Sequence, residues 1–310
     1  MTHPPVPSPT DHAAIERMVF ETPRVKVAQW RCTPSFPQFR DTGPIRSHLV
    51  AFPRTSVRIT HVEGPQFVAD PTVVSIYNRS QRYLREKLHP AGDFCDWWGV
   101  DEQTAQEIVV SVDGRGTARG GLFRFARARC SAGLYLRQRA LLHRLSAGDV
   151  DAVEAEEGVL GIVGEVLRSA VQDQCGLAVS PAGPAARRHA LAQSAMALLA
   201  VRHGERLTLD DIACALGTSP FHLCRSFRAD TGTTLHAQLT SLRLRTALEC
   251  IEQGAQDLTM VALDAGFASH SHFGAAFVRA FGMTPSAWRA STAQARRAAD
   301  DAQRVTARRV

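Results

Sequence analysis

Arg225 and Arg228 stand three residues apart in a stretch that also holds Phe221, His222 and Cys224. A guanidinium fork can donate paired hydrogen bonds to a phosphate or to the edge of a guanine, so this group has the chemistry of polyanion recognition. Fifty residues on, His270, Ser271 and His272 are followed by Ala275 and Arg279. The residues between explain why these side chains are available. Leu223 and Phe227, like Phe273 and Phe277, are one helical turn apart; each pair must face a core, which directs the others outward.

A different chemistry is written in Asp93–Gly99, where Trp97 and Trp98 are adjacent. Small-molecule pockets favour aromatic walls with a few polar groups. Neighbouring residues of a strand point to opposite faces, so at most one of Trp97 and Trp98 enters an interior, and plain core packing is the competing reading. His48, His61 and His89 form no HxH pair and have no nearby glutamate, so no metal site is expected. The seven cysteines show no CxxC spacing, which excludes a zinc ribbon and a secreted disulfide framework and suits reduced thiols.

The elements that must position the two polar groups are copies of one phrase. Ser219, Leu223, Phe227, Gly232 and Thr234 recur as Ser269, Phe273, Phe277, Gly282 and Thr284 at an offset of 50 residues. Ile212, Ala213 and Gly217 match Val261, Ala262 and Gly266 at an offset of 49, so one residue was inserted between glycine and serine. This is a duplicated supersecondary unit. Each copy reads as short helix, glycine turn, then a second helix capped by Ser219 or Ser269, with Pro220 at the first position of the former. That is helix-turn-helix grammar. Leucines 235, 239, 242 and 248 fall at helical spacings between the copies, predicting a connecting helix of about seventeen residues, or roughly 26 Å. A rod of that length suits two recognition helices set near the ~34 Å repeat of the major groove.

The 310 residues suffice for two domains, and the formal net charge of +6 is unevenly spread. From Arg187 to Val310 there are 15 arginines against 10 acidic residues, so nearly all of the basic excess lies with the repeat. Met1–Thr10, with four prolines and no apolar run, is expected to be neither a signal peptide nor a membrane anchor, and no later run approaches the ~20 apolar residues of a spanning helix. A cytoplasmic location without membrane partners is the expectation.

Taken in order, residues 1–20 read as a Pro-rich lead with a short helix near His12–Val19. Residues 21–130 read as a small antiparallel β-barrel or sandwich. Its expected strands are Val25–Trp30, His48–Phe52, Val57–Val62, Val73–Tyr77, Ile108–Val112 and Leu122–Phe125. Residues 131–175 predict two amphipathic helices, which bury either against the β domain or in a homodimer seam. Residues 176–186 read as a linker, 187–290 as the helical domain, and 291–310 as a disordered Arg-rich tail. The fold class is therefore α+β, with a β-rich front and an all-α rear.

The stretch Leu207–Arg289 resembles the DNA-binding domain of the AraC-type transcriptional regulators. The resemblance rests above all on Asp264–Phe273, followed by Phe277 and Phe281-Gly282-Met283-Thr284-Pro285. It implies two helix-turn-helix units reading successive major-groove segments of promoter or operator DNA, with recognition helices at about Ser219–Ala229 and Ser269–Arg279. Position by position, Phe221, Cys224 and Arg225 take base-reading places in the first helix, and His270, Ser271 and Ala275 in the second. Ala275 and Cys224 depart from the long polar residues often found there. The second helix is therefore expected to read weakly, as a phosphate clamp or a reader of thymine methyls, and Cys224 to be redox-sensitive in contact with DNA.

By the same resemblance the front half is a cupin-like sensory domain for a small-molecule effector or a partner, and RNA polymerase is an expected contact. No catalytic residue and no cofactor are expected. The rival enzyme readings are a cupin-type metal oxygenase and a DNA-alkyl repair protein. The latter requires clustered cysteines near the amino end, whereas Cys32, Cys95 and Cys130 are dispersed.

Overall fold

The computed structural model describes residues 14–62, 64–114, 121–173 and 183–294. The chain divides into two compact units: Met1–Arg129 with Val166–Pro181, and Cys130–Glu165 with Ala182–Val310.

The first unit is built on nine strands: β1 (Ala14–Glu21), β2 (Val25–Cys32), β3 (His48–Pro53), β4 (Val57–His61), β5 (Gln66–Ala69), β6 (Val73–Tyr77), β7 (Tyr83–Lys87), β8 (Asp93–Val100) and β9 (Arg127–Arg129). They form a six-stranded sheet in the order β1-β2-β8-β3-β6-β9 and a three-stranded sheet in the order β5-β4-β7. All pairings are antiparallel. The two sheets stay separate, so of the barrel and the sandwich expected, the barrel is corrected: it is not closed.

Two local expectations also change. The short helix near His12–Val19 is strand from Ala14 onward, because these residues pair with β2 from Ala14↔Cys32 through Glu21↔Lys26. Ile108–Val112 is not a strand but part of helix α1 (Glu102–Asp113). Asp101 caps α1 by accepting from the Thr104 N–H, and Gly114 ends it in the left-handed conformation. Capping at both ends, with Ala105 and Val109 buried, overrides the β preference of an Ile-Val-Val run. Leu122–Phe125 contributes no ladder strand; β9 follows at Arg127.

The second unit contains α2 (Ala132–Ala147), α4 (Gly183–Arg202), α5 (Leu209–Ala215), α6 (Pro220–Thr231), α7 (Leu235–Glu252), α8 (Leu258–Asp264) and α9 (His270–Phe281), with residues 285–294 also helical. The first part of α3 (Ala152–Asp173) belongs here as well. Of the expected linker, residues 176–182 lie outside the described residues and 183–186 are the first turn of α4. The tail from residue 295 also lies outside them.

Polar bonds as well as apolar packing tie α2 into this unit. Arg139, 2% exposed, donates through Nε to Glu252 on α7 at 3.2 Å and through its second amino group to the same carboxylate. His143 lies 3.2 Å from Glu252. Arg245, also on α7, donates to the Cys130 carbonyl and lies over the Tyr135 ring.

Candidate nucleic-acid interface

The serines that open α6 and α9 act as the sequence requires. Ser219 accepts from the His222 N–H at 3.3 Å, and Ser269 from the His272 N–H at 3.2 Å. Pro220 occupies the first turn of α6, where a missing N–H costs nothing. Gly232 and Gly282 close the two helices at φ 69° and 73°. Helices α5 and α8 precede them, and Thr208 forms a capping box with Asp211 at the start of α5. The tight turns run through Gly217 (φ 62°) and Gly266 (φ 88°).

Burial divides each helix as its spacing predicts. Leu223, Phe227, Phe273 and Phe277 are all fully buried, and Phe273 and Phe277 meet edge-to-face at 5.5 Å. Phe221, His222, Cys224, Arg225 and Arg228 are exposed on α6, Phe221 at 76%. His270, Ser271, His272, Ala275 and Arg279 are exposed on α9. Arg225 and Arg228 have no ion-pair partner among the described residues, so their donors are open to a ligand. His222 and His272 are less available: His222 Nε2 lies 3.4 Å from the Ser226 hydroxyl, and His272 packs edge-on to Phe267 at 5.6 Å.

In the β unit, sequence reasoning names one residue on the wall of a cavity, Trp97, and misses most of its lining. A cavity of about 200 Å³ lies between the sheets. Trp97 lines it, and its indole N–H donates to Glu16 at 3.1 Å. Trp98 is fully buried away from the cavity, edge-on to Phe52 at 6.5 Å. The lining repeats at every second residue of a strand: Asp93, Cys95 and Trp97 on β8, and Leu49, Ala51 and Pro53 on β3. That period was the available signal; it names Trp97 over Trp98 once β8 is known to start at Asp93. Tyr77, Tyr83 and Trp30 also line the cavity, and only long-range strand pairing brings them there.

Beside the cavity, Arg85 is 1% exposed and donates to Asp93 at 2.5 Å and to the Thr42 hydroxyl at 2.7 Å. Its guanidinium lies 5.6 Å from the Trp30 ring centre, 5.5 Å from Phe39 and 5.3 Å from Tyr83. Burial pushes the Asp93 carboxyl up while Arg85 pulls it down. Burial also holds the Tyr77, Tyr83 and Cys95 groups well above their ordinary values, so they stay protonated and uncharged at neutral pH.

Two capped helices with buried aromatic cores, each behind a glycine turn and each presenting exposed polar side chains, define the class: a helix-turn-helix DNA-binding domain. Residues 187–291 match the family model described as a helix-turn-helix domain. That segment is of the AraC type, as its resemblance to that family implied. Over 86 residues the chain is 36% identical to the RCS-specific HTH-type transcriptional activator RclR of Escherichia coli K12, covering 28% of this chain and 30% of that protein. It is 33% identical over 86 residues to the transcriptional regulator Rob of Salmonella typhimurium, again covering 28% and 30%. A solved transcriptional regulator from Chromobacterium violaceum, of the AraC-type DNA-binding domain-containing proteins, is 31% identical over 35% of this chain and 97% of its own, with a TM-score of 0.33. The chain thus spans about 30% of the length of these curated relatives.

Proposed function

We propose that the protein is a sequence-specific DNA-binding transcriptional regulator. In this reading α5–α6 and α8–α9 are two helix-turn-helix units joined by α7, inserting α6 and α9 into successive major-groove segments of a promoter or operator. The cupin-like β unit then sets its activity by binding a small-molecule effector. A homodimer and RNA polymerase are the further partners of such a regulator, and no catalytic step is assigned. The observation that carries the reading is the pair of serine-capped helices whose aromatic faces are buried and whose polar faces are exposed. The names of the relatives, an activator and a regulator of transcription, support it.

The two helices carry unequal chemistry. Arg225 is the guanine reader, because its fork matches the two acceptors on that base edge. At the position fifty residues on, Ala275 offers only a methyl group, suited to thymine methyls or to close approach to the backbone. Arg228 and Arg279 lie nearer the helix ends and suit phosphates. Replacing Arg225 by Ala is expected to lower binding to the selected site by ~5- to 150-fold, from the ~1–3 kcal/mol of a bidentate contact, and to leave non-specific binding at fixed salt nearly unchanged. Equal losses on both DNAs would make Arg225 a phosphate contact instead.

A further inference from the structure

We propose that the cavity of the β unit takes a small uncharged single-ring aromatic molecule and discriminates against organic anions and cations of the same shape. This rests on the reading of that unit as an effector site and names the class of effector.

Size comes first. A cavity of about 200 Å³ exceeds the ~150 Å³ that holds benzene and falls below the ~300 Å³ where drug-sized pockets begin. One ring with one or two substituents matches that volume. The walls favour a flat partner, since Trp30, Tyr77, Tyr83 and Trp97 offer ring faces and edges among aliphatic side chains.

Charge decides the rest. The buried carboxylate on the wall, Asp93, is already matched by Arg85 at 2.5 Å. The ring faces of Trp30 and Tyr83, which would otherwise attract a cationic ligand, already lie against that same guanidinium. A ligand cation would have to displace the protein's own. A ligand anion would face Asp93 with no uncommitted buried cation on the lining to receive it. Arg46 and Glu16 also line the cavity, but both are exposed and of opposite sign, so their fields are screened and offset. Burying an unmatched charge costs more than burying the ring returns. The hydroxyls of Tyr77 and Ser75, which bond each other, and of Tyr83, which bonds Thr42, are neutral groups, each with a further lone pair or proton for one polar substituent.

The test is an isosteric series added to the full-length protein: benzyl alcohol, benzoate and benzylammonium. Binding is followed by thermal denaturation and by the NMR signals of the Trp30 and Trp97 indole N–H groups, assigned with single Trp→Phe variants. Benzyl alcohol at a hundredfold excess over its Kd is expected to raise the melting temperature of the β unit by about 5–10 °C and to shift both indole signals. Each ion should bind at least tenfold more weakly. Either ion binding as tightly as the alcohol at those indoles would overturn the proposed class while leaving an effector site in place. No response to any member of the series would also overturn it. In that event 1-hexanol, neutral but linear, separates the two readings. A shift at the same indoles keeps the cavity as an effector site, and no shift removes that reading too.

Discussion

At the residue scale, the structure separates side chains that are committed within the protein from those left open. Arg245, Arg139 and Arg85 are buried against acceptors, whereas Arg225 and Arg228 are exposed without ion-pair partners among the described residues. Composition alone does not make this division, since every one of them is an arginine in a basic protein. His61 illustrates the committed class. It is 2% exposed, stacked on Tyr77 at 5.4 Å, and accepts at Nδ1 from the Gln81 amide, leaving Nε2 without a partner among the described residues. Burial lowers its pKa from 6.5 to about 4. The unfolded chain therefore binds the proton more readily than the folded one between these values, and the β unit should lose stability as pH falls from 6.5 towards 4. The total loss is about 2–4 kcal/mol. Denaturant melts of the wild type and His61→Gln across that range check this: the variant's slope should be flatter, and an unchanged slope would show that another group titrates.

At the scale of elements, much of the helical domain was legible because its signals are local. A capping serine, a turn glycine and an i, i+4 apolar pair each act within one turn, so α6 and α9 begin where Ser219 and Ser269 place them. In the β unit β2, β3, β4 and β6 fall where the β-type runs Val25–Trp30, His48–Phe52, Val57–Val62 and Val73–Tyr77 place them. Strands β5, β7 and β8 were not separately foreseen, because their burial comes from partners distant in sequence, and α1 was misread because its caps outweigh its β-branched run. Trp97 could be named only as one of a pair for the same reason.

The two turn glycines look equivalent in sequence yet differ in their surroundings. A Cβ at Gly266 would fall 2.8 Å from both the Arg243 Nε and the His203 carbonyl, whereas one at Gly217 meets nothing within 4 Å. Gly217→Ala should cost only the left-handed backbone penalty of ~1–2 kcal/mol, and Gly266→Ala distinctly more. Thermal melts decide; equal costs would mean that the Arg243 side chain yields freely. The tie between α2 and α7 gives a second contrast. Burial would raise the Glu252 pKa, but Arg139 and His143 outweigh it and bring it to about 2. Its stabilisation is thus present above an unfolded value of 4.5 and is lost as pH falls through about 2. Arg139→Ala, which leaves that carboxylate without its main partner, should cost about 3–5 kcal/mol, while the double change Arg139→Met with Glu252→Leu should be neutral or stabilising. A double variant as unstable as the single one would contradict the assignment.

At the scale of the whole molecule, the duplicated phrase becomes an unequal pair. Its scaffold positions recur, but the exposed side chains do not: Arg225 and Arg228 correspond at the 50-residue offset to Ala275 and Val278. In the proposed reading both helices hold the DNA backbone, and α6 has more with which to read bases. The α7 helix of 18 residues, about 27 Å long, runs between α6 and α8 as a single rod, so in the proposed reading the DNA segments under α6 and α9 should keep a fixed spacing. The most direct test selects bound sequences from a random DNA pool with the full-length protein, then randomises the base pairs under each helix. The account predicts two enriched blocks about one helical turn apart, with the larger loss of affinity when the block under α6 is randomised. No enrichment, with binding that depends on salt alone, would contradict sequence-specific recognition, and equal losses under both helices would contradict the unequal pair.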